Sequence, residues 1–173
     1  PGPAPVALCA ASRQTQTWQN APQLTKTTRL YDTENMMTSL TDEIIDIAVR
    51  PARHVPDLPL DFAKLSLLDW MTCAIAGTGE PLAVKLRQLA ASESGQQVAS
   101  VFGGMRVPPR MAALVNGATS HSLDYDDTHF AHVGHLSVGI YPAALAIAEM
   151  QDASAEELVT SFLLGAESAI RVG

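Results

Sequence analysis

The stretch SAEELVTSFLLGAESAIRV, residues 154–172, carries the pattern that decides the fold class. Its large apolar residues fall on one face of an α-helix, because they recur at three- and four-residue steps: Leu158, Phe162, Leu163, Ala166 and Ile170. Ser154, with Glu157 three residues later, has the spacing of a capping box, which marks the first turn of a helix. The stretch therefore predicts an amphipathic helix that buries one face against its neighbours.

The same spacing recurs outward along the chain and predicts further helices. We expect them at Ser39 to Arg50, Leu60 to Ala76, Pro81 to Gly95, Pro108 to His121, and Ile140 to Met150. Only QVASVFG, residues 97–103, is typical of a strand, and the glycine pair that follows in FGGM indicates a turn. The predicted fold is mainly α, a bundle-like arrangement of about five to six helices with at most a short strand.

Composition and charge exclude several classes of function. The chain has 173 residues, enough for one domain with a sizeable core. A net charge of −7 with scattered basic residues disfavours a nucleic-acid partner, since such binding depends on clustered lysine and arginine. No run of about 18 apolar residues is present, so no membrane span is expected. Only Cys9 and Cys73 occur, which excludes a disulfide framework and a metal site or iron–sulfur cluster held by cysteines.

Residues 1–37 differ in composition from the rest of the chain. They are rich in threonine and glutamine and lack periodic apolar positions, so we predict that they are disordered, either as a functional leader or as sequence added to the natural protein. The folded domain is expected over residues 38–173. Because the apolar face of the last helix still continues at Val172, we expect a domain truncated at its carboxyl end, with an apolar face exposed on its later helices.

The segment HSLDYDDTHFAHVGH, residues 121–135, gathers three aspartates and four histidines. A solvated loop is the simplest interpretation, because aspartate is favoured in turns and runs of charge usually lie on surfaces. Apolar side chains interleaved with these charges argue against it, since they indicate a loop anchored on the core: Leu123, Tyr125, Phe130 and Val133. An anchored loop is better suited to hold a functional site than a loose one.

A metal site is the second interpretation of this segment. Imidazole and carboxylate together suit zinc, iron or manganese, and the available ligands are His129, His132, His135, Asp124, Asp126 and Asp127. The spacing of three and the presence of Gly134 disfavour a helical ligand pair, for which histidines usually stand four residues apart. This interpretation leads to a metal-dependent hydrolase or lyase.

Acid–base chemistry needs the same residue types with looser geometry. A histidine titrates near neutrality, and a nearby aspartate can orient its ring or hold it charged. The hydroxyl of Thr128 can donate to a substrate carboxylate. Such a site can remove a proton α to a carboxylate without a metal or an organic cofactor, provided that cationic and hydrogen-bonding groups stabilise the enediolate-like charge.

Five stretches of the chain together resemble the MmgE/PrpD family. They are SLLDWMTCAIAG (66–77), PRMAALVNG (109–117), NGATSHSLDYDDTH (116–129), GHLSVGIYPAALAIAEM (134–150) and GAESAIRVG (165–173). The family contains dehydratases, decarboxylases and epimerases of small polycarboxylates, and its members are longer than this chain. The resemblance implies that the chain is the first part of a large helical domain, in a protein that forms homodimers.

The resemblance also assigns roles to particular residues. Asp124 matches the aspartate that opens the family's D-[FY]-[DN]-D-T run, Thr128 matches the threonine that ends it, and His135 matches the histidine of its HPS motif. In the family these positions line a cofactor-independent pocket for a di- or tricarboxylate. The match departs from the family pattern at Leu136, where proline is usual.

Together these observations lead to one expectation and two alternatives. The expected activity is that of a cofactor-independent lyase or epimerase, acting on a small di- or tricarboxylate through catalytic Asp124, Thr128 and His135. We expect no metal, no nucleic-acid partner and no membrane. The expected location is the cytoplasm, or the mitochondrion if residues 1–35 are a genuine leader. A metal-dependent enzyme and a non-catalytic helical interaction module are the alternatives.

Overall fold

A computed structural model describes residues 39–49 and 55–172 of the chain. The segment 1–37, for which we predict disorder, lies outside the described residues. Six helices occur in the described part: α1 Leu40–Ala48, α2 Asp57–Gly77, α3 Pro81–Ala91, α4 Pro109–His121, α5 Leu136–Gln151 and α6 Ala155–Val172. Two short antiparallel strands, β1 Ala99–Val101 and β2 Met105–Val107, lie between α3 and α4. The prediction of a mainly α fold is confirmed.

The hairpin contains one strand more than the sequence predicts. Only β1 was expected, because β2 has three residues and is too short to show an alternating pattern. Gly103 and Gly104 form the turn with φ of 106° and 99°, a region in which side chains are strained. The glycine pair therefore reverses the chain in the middle of a hairpin, instead of ending a lone strand.

Aromatic side chains from three helices build the larger of two cores. The ring of Tyr141 on α5 stacks on Phe162 of α6, with ring centroids 4.1 Å apart, and also on Trp70 of α2 at 5.5 Å. Both polar tips are satisfied: the Tyr141 hydroxyl donates to the carbonyl of Ala63 at 2.6 Å, and the Trp70 indole donates to the hydroxyl of Ser120 at 3.0 Å. The predicted apolar face of α6 packs into this core.

Helix α4 is fixed near its middle and near its C-terminal end. Near its middle, the buried side chain of Asn116 accepts from the backbone N–H of Phe102 at 3.0 Å and donates to the carbonyl of Ser100 at 2.9 Å, which ties the helix to the hairpin. Near its end, α4 crosses α2 so closely that a Cβ on Gly77 would lie 2.2 Å from the carbonyl oxygen of Thr119. The close crossing determines where the last residue of α4, His121, is placed.

Exposed large apolar side chains occur on all six helices, and the largest group lies on α2. This group includes Leu58, Leu65, Leu68, Met71 and Ile75. The apolar stripe of α6 is largely buried against α2 and α5, while Ile147, Met150 and Val172 on the later helices are exposed. A larger exposed face on the later helices stays a prediction. Within the part of the chain that the structure describes, no helix has the length and apolar character to cross a membrane.

Candidate active site

Two helix ends bring a pair of histidines together. His121 is the last residue of α4, and His135 is the residue that precedes the first turn of α5. The two helices pack side by side, so the two ends of the loop that joins them lie close together. The imidazole rings lie with their centroids 4.8 Å apart and their planes inclined by 62°. The segment 121–135 is therefore folded over the ends of two core helices.

The carboxylate of Asp126 lies between the two imidazoles. Its side chain is 0% exposed, and its Oδ1 atom is 2.9 Å from Nδ1 of His121. An ionised carboxylate can only accept, so a hydrogen bond to ionised Asp126 requires the proton of His121 on Nδ1. The other oxygen, Oδ2, is 3.1 Å from Nδ1 of His135, but the alignment there does not make a hydrogen bond. Among the described residues, no lysine or arginine pairs with Asp126.

Asp124 lies on the opposite side of the same two rings. Its Oδ1 atom is 3.9 Å from Nε2 of His121 and 4.0 Å from Nε2 of His135, and its side chain is 80% exposed. Its backbone has φ of 55°, in the left-handed region that aspartate tolerates better than most residues. Each imidazole thus has one nitrogen toward a buried carboxylate and the other toward an exposed one.

Of the three predicted catalytic residues, two are close together and one stands apart. Asp124 and His135 are within ion-pair distance. Thr128 is exposed, and its hydroxyl makes no hydrogen bond to another described residue. This exposed hydroxyl of the loop is available to a ligand, but no contact in the described part joins it to the histidine pair.

Asp127 fastens the loop to the protein. Its Oδ1 atom accepts the backbone N–H of Ser137 at 3.2 Å, and its Oδ2 atom accepts the Ser137 hydroxyl at 2.8 Å. The hydroxyl of Ser66 on α2 lies 2.5 Å from that of Ser137. Burial raises the pKa of Asp127, the bonds from Ser137 oppose that shift, and the charges of Asp69 and Asp126 add to it. The carboxylate thereby satisfies a free N–H in the first turn of α5.

His129 and His132 are directed elsewhere. His129 is buried; its backbone pairs with that of Gly134, and its Nδ1 atom accepts the N–H of His132 at 3.3 Å. Burial, with a smaller contribution from His132, lowers the pKa of His129. The Nδ1 atom of His132 is 3.2 Å from the carbonyl oxygen of Ala169 on α6. These two histidines shape the tip of the loop.

The predicted metal ligands are consequently not brought together as a set. In the described part of the chain, the group that could hold a metal is His121, Asp126 and His135, whose donor atoms lie within 4.8 Å of one another. His121 was not predicted as a site residue, and Asp126 was not distinguished from the neighbouring aspartates. The available signal was that His121 ends a predicted helix, which places it at the start of the loop whose last histidine is His135.

Comparison with known proteins agrees with the resemblance seen in the sequence. Cis-aconitate decarboxylase of Mus musculus is 31% identical over 120 residues, which are 66% of this chain and 24% of that protein. The Homo sapiens protein of the same name is 30% identical over 120 residues, with 66% and 25% covered. Cis-aconitate decarboxylase of Aspergillus terreus is 28% identical over 146 residues, with 80% and 30% covered. The chain thus spans about a quarter of the length of the mouse and human relatives.

The family match covers most of the described residues. The model of the MmgE/PrpD N-terminal domain matches residues 47–173, a range that includes α2 to α6, the hairpin and the whole loop of aspartates and histidines. The helical architecture and the motif positions that suggested the family are therefore within one matched region. The chain belongs to the MmgE/PrpD family.

Proposed function

We propose that this chain is the amino-terminal part of a cofactor-independent lyase or epimerase that acts on a small di- or tricarboxylate. The observation that carries the proposal is the position of His135, between a buried carboxylate at Nδ1 and an exposed carboxylate near Nε2. The family membership and the relatives named cis-aconitate decarboxylase support a lyase in general terms. Substrate and reaction type belong to the proposal.

In the proposed reaction, Nε2 of His135 takes a proton from a carbon α to a carboxylate. Asp126, whose Oδ2 atom is 3.1 Å from Nδ1, stabilises by its charge the imidazolium that forms. Asp124, whose Oδ1 atom is 4.0 Å from Nε2, sets the orientation and charge of the ring, the role that the family motif implies. The exposed hydroxyl of Thr128 donates to a substrate carboxylate.

The electrons of the broken C–H bond pass into the adjacent carboxylate and give an enediolate-like intermediate, which the imidazolium of His135 helps to stabilise. From that point two outcomes are open: a β-substituent leaves in a dehydration, or reprotonation on the other face gives an epimer. A decarboxylase reverses the order: carbon dioxide leaves, the electrons of its C–C bond stay on the carbon skeleton, and the imidazolium of His135 protonates the carbon that receives them. All three share a proton transfer at carbon.

That shared step defines the test. The full-length protein is incubated in D₂O with a panel of di- and tricarboxylates, and deuterium at the carbon α to a carboxylate is measured by NMR or mass spectrometry. We expect incorporation with at least one member of the panel, with or without net turnover. Absence of exchange across the whole panel, in a protein shown to be folded, would contradict the proposal.

A non-catalytic interaction module is the second candidate, and the exposed apolar face of α2 favours it. Five large apolar side chains of that helix are exposed: Leu58, Leu65, Leu68, Met71 and Ile75. In a longer enzyme such a face is covered by further parts of the same protein, whereas in a module it binds another protein. A folded full-length protein that exchanges no deuterium would favour the interaction module over the enzyme.

A further inference from the structure

The histidine pair surrounds a buried charge that is incompletely compensated. The carboxylate of Asp126 has no exposed surface, and its Oδ2 atom has no hydrogen-bond partner among the described residues. Nδ1 of His135, 3.1 Å from that oxygen, is also buried and also without such a partner. A buried carboxylate is unfavourable unless it is paired with a cation or fully hydrogen-bonded. The arrangement therefore favours a cation between these groups.

The chemistry of the donors selects a class of cation. Two imidazole nitrogens and one carboxylate oxygen are the ligands of borderline transition-metal ions, while calcium and magnesium prefer sites made of oxygen alone. Three protein ligands leave at least one coordination position for water or a ligand carboxylate.

The distances are close to those of a binding site. The three donor atoms lie within 4.8 Å of one another, and tetrahedral zinc ligands are separated by about 3.4 Å. If the two imidazole donor atoms are 4.8 Å apart, binding requires them to approach each other by roughly 1–1.5 Å. His121 at a helix end and His135 before the first turn of another helix can make this movement by rotating their side chains.

We propose that His121, Asp126 and His135 bind one zinc-class divalent ion, through Nδ1 of each histidine and a carboxylate oxygen of Asp126. This binding goes beyond the proposed function, which requires no metal. Where that function holds, the ion is an inhibitor, because a ring metallated at Nδ1 keeps its proton on Nε2 and cannot accept another. Inhibition rests on the proposed function, whereas binding does not.

Binding is tested on the 173-residue chain itself. The chain is freed of metal by dialysis against a chelator and titrated with Co²⁺, whose visible absorption reports tetrahedral nitrogen and oxygen ligands. Zn²⁺ is then added to displace it, and the stoichiometry is measured by calorimetry. We expect one ion per chain and full displacement of Co²⁺ by Zn²⁺.

Three variants locate the site. His121→Ala removes a half-exposed ligand at a helix end and should weaken binding roughly tenfold or more, since changes even in residues that only support ligands have effects of 10–100-fold. Asp126→Asn should weaken it at least as much, and circular dichroism shows whether that buried substitution still folds. His132→Ala, which removes a histidine of the same loop that is bonded to α6 instead, should bind like the parent chain.

Absence of one-to-one Co²⁺ binding by the parent chain would overturn the site. An unchanged Co²⁺ affinity in His121→Ala, or a loss of Co²⁺ binding in His132→Ala, would also overturn the site. The two proposals fail separately: deuterium exchange without metal binding removes only the metal site, and metal binding without exchange removes only the proposed reaction. If both hold, Zn²⁺ should suppress deuterium exchange in the full-length protein.

Discussion

Asp126 and Asp127 are adjacent in the sequence, but they belong to two regions that differ in their partners. Asp127 belongs to an anchor, formed with Ser137 and Ser66, in which N–H and hydroxyl donors from the core helices surround one carboxylate. Asp126 belongs to a histidine cluster, formed with His121 and His135, in which the partners are imidazoles and one buried oxygen has no hydrogen-bond partner among the described residues.

The difference shows how the loop combines stability with reactivity. The donors of the anchor, a backbone N–H and hydroxyls, do not titrate near neutral pH, and they fix the start of α5. Imidazoles in the histidine cluster can gain or lose a proton or a metal, so their bonds can be exchanged for those of a ligand. The anchor therefore allows the cluster to remain incompletely bonded without unfolding the loop.

The largest expected effect separates the cluster from the rest of the loop. In the full-length protein, His135→Ala should reduce the rate of deuterium exchange by at least about 10²-fold, because general acid–base groups typically contribute 10²–10⁴-fold. His132→Ala, which removes a histidine outside the cluster, should change that rate much less. Near-normal deuterium exchange in His135→Ala would contradict the distinction between cluster and anchor, because the cluster would then not be the reactive region.

A second effect concerns the helix crossing that places His121. Gly77→Ala should destabilise the fold by roughly 3 kcal/mol, because its Cβ would meet the carbonyl oxygen of Thr119 at 2.2 Å and two helix backbones would have to separate. Gly79→Ala is the matched control, since a Cβ there has no heavy atom within 4 Å. Equal unfolding midpoints in urea for the two variants would contradict the close crossing.

A third effect tests the anchor itself. Asp127→Ala should lower the free energy of unfolding by about 1–2 kcal/mol, because it leaves the N–H and hydroxyl of Ser137 without their acceptor. Asp127→Asn keeps an acceptor oxygen and should lower it less. Asp124→Ala, at an exposed carboxylate of the same loop, should change it by less than about 0.5 kcal/mol. Equal values for Asp127→Ala and Asp124→Ala would remove the distinction between anchor and cluster.

The smallest effect concerns an exposed carboxylate outside both regions. The backbone N–H and hydroxyl of Ser154 lower the pKa of Glu157 below its ordinary value of 4.5. A lowered folded-state pKa stabilises the fold at pH above 4.5, and this contribution is lost as the pH falls through the folded-state value. In unfolding titrations from pH 7 to 3, Glu157→Gln should therefore lose less stability on acidification than the parent. Glu156→Gln is the neighbouring control, because Ser154 donates to Glu157 and not to Glu156.

Local pattern predicted some helix limits and missed others, for identifiable reasons. Helix α6 begins where its capping residues predict, because Ser154 and Glu157 bond within a single turn. Helix α5 begins at Leu136, earlier than the predicted Ile140, although Gly139 lies within it. Its first turn is supported by Asp127, a residue of the preceding loop, and no pattern inside α5 could indicate that bond.

The sequence by itself determined the helical class, through apolar periodicity, and the chemical character of residues 121–135, through their composition. Its motifs also named Asp124, Thr128 and His135 as candidates. Only the tertiary structure decided that Asp126 is buried, that Asp127 serves as the anchor, and that His121 joins His135. The physical reason is that burial and proximity depend on where the ends of α4 and α5 come to rest. Those positions follow from the crossing of α2 and α4 and from the aromatic core, both of which join residues distant in the sequence.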